Sequence, residues 1–182
     1  MATDPTLLQA ERRHLANLLE AVQRCVHLLD ASERKLPCPL EPSLLEQRKT
    51  DPELFEPLAA VNERFAKLQD TLGAAMRHAL LLAGERTDSF LKVLAFFVKA
   101  GVAESTEAWQ TCRTARNLAA HDYETDYAAI AEHFNTLHEL TPMLFDTSLK
   151  LHEYCAENLG IAPADSELRQ LFREACARRL VS

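Results

Sequence analysis

Glycine is scarce in this chain, 4 of 182 residues, and that shortage removes several functional classes at once. There is no glycine-rich phosphate loop, no G-x-S-x-G nucleophile elbow and no G-x-G-x-x-G dinucleotide fingerprint, because each needs glycines at fixed spacing. Alternating runs of β-branched and aromatic residues are also missing, and aromatics make up only 7% of the chain, so the composition favours helices over sheets. The longest apolar runs, Val93 to Val98 and Ala79 to Ala83, fall far short of the roughly 20 residues that span a bilayer. The N-terminus lacks a charged-then-apolar leader pattern, and a soluble, cytoplasmic protein with no membrane partner is the expectation. Basic charge is in deficit: 20 Lys and Arg face 27 Asp and Glu, a formal net charge of −7, which excludes a broad nucleic-acid-coating surface. Any contact with RNA must be local. The five cysteines are odd in number and have no C-x-x-C spacing, which fits reduced thiols, most of them buried, rather than a disulfide framework or a zinc site. His133 and His138 do not form H-E-x-x-H and do not align on one helical face, so neither a metal nor a cofactor is called for.

What the chain does have is helical periodicity. Leu8, Leu15, Leu18, Leu19, Val22, Val26 and Leu29 recur at steps of three and four, predicting one amphipathic helix from about Pro5 to Arg34. Five of the eight prolines lie between Leu36 and Pro57, and this 36–57 stretch is expected to be a connector with one short helical turn. A second long helix is predicted from Glu53 to Ala83, with Leu54, Leu58, Val61, Phe65, Leu68, Leu72, Met76 and Leu80 inward and Gly84 as its stop. A shorter helix follows from Asp88 to Ala100, capped by Thr87 or Asp88 and closed by Gly101. Ser105 or Thr106 starts the next, with Trp109, Cys112 and Leu118 buried and fraying near His121. Thr125 or Asp126 then caps a long helix to about Asn158, with Tyr127, Ile130, Phe134, Leu137, Leu144, Leu149 and Leu151 inward, Pro142 as a kink and Gly160 as the stop. A tail helix over 165–180 completes a single all-α domain of 182 residues, an up-and-down bundle in which each apolar stripe covers another.

One segment carries residues of catalytic type at a spacing that packing does not demand: Arg116-Asn117-Leu118-Ala119-Ala120-His121-Asp122-Tyr123, or R-N-x3-H-x-Y. It combines a permanent cation, an amide, an imidazole that titrates near neutral pH and a phenol, groups suited to phosphate chemistry. Arg116 and His121 are about 140° apart on an ideal helix, so they meet only if the chain leaves the helix before His121. The ordinary alternatives are a dipole-complementing Arg116, a carbonyl-capping His121, a solvent-facing Asn117 and a core-anchoring Tyr123.

This motif at a helix end in an all-α chain resembles the HEPN superfamily, specifically its HepT-like toxins, over about 54–155. The segment Arg64-Phe65-Ala66-Lys67-Leu68-Gln69-Asp70-Thr71-Leu72 is similar to the corresponding helix of a HepT-like subgroup. The resemblance implies a metal-independent endoribonuclease of a toxin–antitoxin pair, a homodimer whose two motifs share one cleft on the RNA substrate. It implies that His121 transfers the proton, that Arg116 stabilises charge on the phosphoryl oxygens, and that Asn117 supports the site across the cleft. It further implies that Tyr123 accepts AMP from a minimal nucleotidyltransferase (MntA-like) antitoxin, which silences the toxin. Asp122, Glu124 and Asp126 flank the histidine; they disfavour a polyanion and raise the imidazole's affinity for a proton. A helical module of the same family that binds nucleotide or nucleic acid for such a partner, without cleaving it, is the alternative. The first 50 residues and the tail after Gly160 would cover the bundle or meet the antitoxin.

Overall fold

Seven helices make up the regular structure of residues 5–85, 88–117 and 125–180, the parts that the computed structural model describes: α1 (Pro5–Glu33), α2 (Pro42–Gln47), α3 (Pro52–Leu82), α4 (Phe90–Lys99), α5 (Thr106–Asn117), α6 (Tyr127–Leu159) and α7 (Ser166–Leu180). Among the described residues there is no strand, and none of the helices is long and apolar enough to cross a membrane. The protein is an all-α bundle.

Local chemistry sets most of the helix ends. The Asp51 carboxylate accepts from the Glu53 amide and Asp126 from the amides of Ala128 and Ala129, while Ser105 and Asp165 accept from residues three positions on. Each satisfies an amide that the first turn leaves without an intrahelical partner. At the other ends Gly84, Gly101 and Gly160 take positive φ values of 80°, 74° and 62°, the left-handed conformation in which a side chain would be strained.

Directions follow from the contacts. α1 and α3 are antiparallel: His78 meets Glu11 at one end, and Arg64 donates to the Leu28 carbonyl at the other. α6 is also antiparallel to α1, with the His152 ring beside the Leu19 carbonyl and Thr141 donating to Glu33. α7 then runs back beside α1, where Arg178 meets Asp30, and lays Phe172 against the His152 ring at 4.7 Å. The apolar stripes of these four helices, joined by α4, close on a core that includes Leu19, Phe65, Leu72, Phe97, Phe145 and Phe172, all fully buried.

Four local expectations change. Leu8, in the first turns of α1, is 43% exposed. The connector ends at Asp51, since Pro52 sits in the first turn of α3, where a missing amide hydrogen costs nothing, and Pro57 is a buried residue inside that helix. Ser89, not Asp88, caps α4, its hydroxyl accepting from the Lys92 amide; Thr87 lies outside the described residues. Tyr127 and Leu149 are half-buried rather than in the core.

Candidate functional site

α5 begins at the Ser105 cap and buries one face, Trp109, Cys112 and Ala115, at steps of three residues. α5 packs against α3, α4 and α6, and Trp109 is the residue that meets α3. Gly73 has no side chain where one would come 3.4 Å from the Phe90 ring and 3.7 Å from Trp109, so both rings lie close to the α3 backbone. One turn earlier the buried Gln69 donates to the Trp109 carbonyl at 3.1 Å, locking the register of α5 along α3. One turn later the Arg77 guanidinium sits 5.8 Å from the centre of the Phe90 ring, within cation–π range.

Arg116 is in the last turn of α5, where a cation complements the helix dipole. Its Nη1 donates to Oδ1 of Asp70 on α3, an ion pair between residues 46 apart in sequence. The Arg116 side chain is 27% exposed and that of Asp70 is 62% exposed, so the pair lies at the surface with the guanidinium as its shielded partner. Among the described residues this is the only hydrogen bond of the guanidinium, which leaves the rest of the donor fork open.

Of the four sequence-predicted site residues, the structure therefore places Arg116. Asn117 ends α5, and its side chain lies outside the described residues, as do His121 and Tyr123 altogether; the predicted burial of Leu118 falls there too. Sequence reasoning did not identify Asp70 as the partner of Arg116. The signal in the sequence is the stretch 64–72 as a whole, which does not single out this carboxylate.

Other groups of catalytic type are engaged elsewhere or held inert. Burial pushes the Cys112, Cys155 and Cys176 thiols up to about 12, so none supplies a thiolate at neutral pH. All five cysteines are free thiols, and the exposed one is Cys38. His133 meets the Asn62 side chain at 3.2 Å, and His138 lies against Arg179. Among the described residues no group of three or more His, Cys, Asp or Glu is arranged to hold a metal ion. No protein-family model, curated protein or solved structure matches this chain.

Proposed function

We propose that this chain is an endoribonuclease of the HEPN type, a HepT-like toxin that acts as a homodimer. The observation that carries the reading is the setting of Arg116: a guanidinium in the last turn of α5, held on one edge by Asp70, with no other hydrogen bond among the described residues. A planar fork of donors beside the reacting phosphate suits the charge that builds on its oxygens.

In the reaction the ribose 2′-oxygen attacks the adjacent phosphorus and the bond to the 5′-oxygen breaks, leaving a 2′,3′-cyclic phosphate and a 5′-hydroxyl. One proton leaves the attacking hydroxyl and one reaches the departing oxygen. His121 carries one of these transfers, and its counterpart in a second subunit carries the other, which is why a twofold dimer completes the site. Asn117 orients the histidine or the substrate. Tyr123 is the acceptor for AMP from a nucleotidyltransferase antitoxin, and the bulky anion so added would repel RNA.

The test is incubation of the purified protein with RNA in chelator, wild type beside Arg116→Ala and His121→Ala, with the product ends identified. Cyclic phosphate ends made by the wild type and lost in both variants are expected. Cleavage that continues unchanged in His121→Ala refutes the assignment.

A second reading follows if the Asp70 carboxylate, by answering the charge of Arg116, leaves that guanidinium too little charge to stabilise a phosphoryl transition state. On that reading the bundle binds a nucleotide or nucleic acid for a partner nucleotidyltransferase without cutting it. Binding of RNA with no product ends would favour it.

A further inference from the structure

We infer that Asp70 is a positioning residue for Arg116, one whose carboxylate orients the guanidinium toward the scissile phosphate and does little to hold the fold together. The inference rests on the endoribonuclease reading and adds to it a residue from a different helix, distant in sequence from the motif.

Two contrasts point this way. The first is energetic. A pair with a 62% exposed carboxylate is solvated and screened, and such pairs add little to stability. α5 is held by the burial of Trp109, Cys112 and Ala115 in the core it shares with α3, α4 and α6, and by the bond from Gln69 of α3 to the Trp109 carbonyl, so the ion pair is a minor part of its attachment.

The second contrast is electrostatic. A carboxylate beside a site for a polyanion weakens the attraction of RNA, so its presence there has to be explained by something other than affinity. Orientation supplies the explanation. Arginine has a long side chain with many rotamers, and an unheld guanidinium must lose that freedom when it meets the phosphate. Asp70 takes one donor of the fork through Nη1, which restricts the rotamers of the side chain and leaves the remaining N–H groups without a bond among the described residues. Because the ordering is done before substrate arrives, the gain appears in the chemical step.

The expected signature is a split between kcat and KM. Asp70→Asn should lower kcat roughly ten- to a hundred-fold, the scale of misplacing a reacting group, while KM stays the same or falls as the repulsive charge is removed. Asp70→Glu keeps the charge and should restore part of kcat. Both variants should keep the helicity and melting temperature of the wild type. The second readout is independent of activity: rotation of the Arg116 guanidinium, followed by its side-chain nitrogen resonances in NMR, should be slow in the wild type and fast in Asp70→Asn.

Unchanged kcat in Asp70→Asn overturns the inference, as does a fall in kcat accompanied by lost helicity and a lowered melting temperature, which would mark Asp70 as structural. A wild type that leaves RNA intact refutes the ribonuclease reading and the catalytic part of this inference with it. The NMR measurement still decides the geometric part in that case, since fast rotation in the wild type would show that Asp70 does not hold Arg116.

Discussion

Arg179 of α7 and Glu33 of α1 form an ion pair between side chains that are 14% and 3% exposed, fastening the C-terminal helix to the N-terminal one. The pair belongs to a buried cluster. Thr141 also donates to Glu33, His138 lies against Arg179, and the neighbouring Asp30, 1% exposed, is ringed by Arg34, Arg178 and Arg179. Removing charges from water is costly, and here the desolvation outweighs the attraction of Arg179: burial pushes the Glu33 carboxyl up to about 7.

That balance predicts a pH-dependent cost for losing Arg179. A carboxyl whose folded-state pKa is raised favours the folded state when protonated, and this stability is lost as pH rises from the ordinary value of 4.5 through about 7. Below about pH 7 Glu33 is neutral in the fold and Arg179 has little charge to answer in it; above that, removing Arg179 strands a buried carboxylate. Arg179→Met should therefore lower unfolding free energy by about 3 kcal/mol at pH 8 and by much less at pH 5. Urea denaturation of both proteins at the two pH values checks this, and an equal loss at each would show that Glu33 does not titrate in the window.

The fate of this cluster in the sequence reading shows what a sequence carries. Helix ends were legible because caps are local: Asp126, Ser105 and Gly160 act on amides and carbonyls a few residues away. The apolar stripe of α3 was legible for the same reason, since all eight of its predicted positions are buried. Pro57 falls in both the predicted connector and the predicted helix from Glu53, and the structure settles it as a buried residue inside α3. The ion pairs were not legible at all. Asp30 and Glu33 look like solvent-facing residues at the end of α1 until α7, about 145 residues later, supplies the arginines. Asp70 and Arg116 pose the same difficulty across 46 residues, so the motif showed its own members and not the side chain that holds one of them.

His152 offers a second pH-dependent prediction, of opposite sign. Its Nδ1 faces the Ser148 carbonyl at 2.7 Å and its Nε2 the Leu19 carbonyl at 3.0 Å, so both ring nitrogens meet acceptors. Only the imidazolium could donate to both, yet burial dominates and lowers its pKa below the ordinary 6.5. The unfolded chain then takes up the proton first, and stability falls as pH drops below about 6.5. His152→Gln keeps one donor and has no proton to gain. Its stability relative to wild type should rise as pH is lowered from 7 to 5, measured by the same denaturation series. A constant difference across that range would mean that the imidazole titrates alike in both states, and a falling one that it is charged in the fold.

The junction between α6 and α7 tests the coupling of a backbone requirement to a distant side chain. Gly160 takes φ 62° and ends α6, and Arg12 of α1 donates to the Leu159 carbonyl at 2.9 Å and to that of Gly160 at 3.2 Å. The glycine turns the chain, and the guanidinium satisfies carbonyls that the helix end leaves without partners. A Cβ at position 160 would lie 3.7 Å from Arg12 Nη2, an ordinary contact, so Gly160→Ala introduces conformational strain and no clash. It should destabilise by about 1 kcal/mol, with Gly160→Asn milder because asparagine tolerates the left-handed region. Arg12→Ala should cost a similar amount, about 1 to 2 kcal/mol, through the lost charge-assisted bonds. If Arg12 also fixes the turn, the double variant will lose less than the two single losses combined. Strict additivity would separate the two effects and leave Gly160 as the sole determinant of where α6 stops.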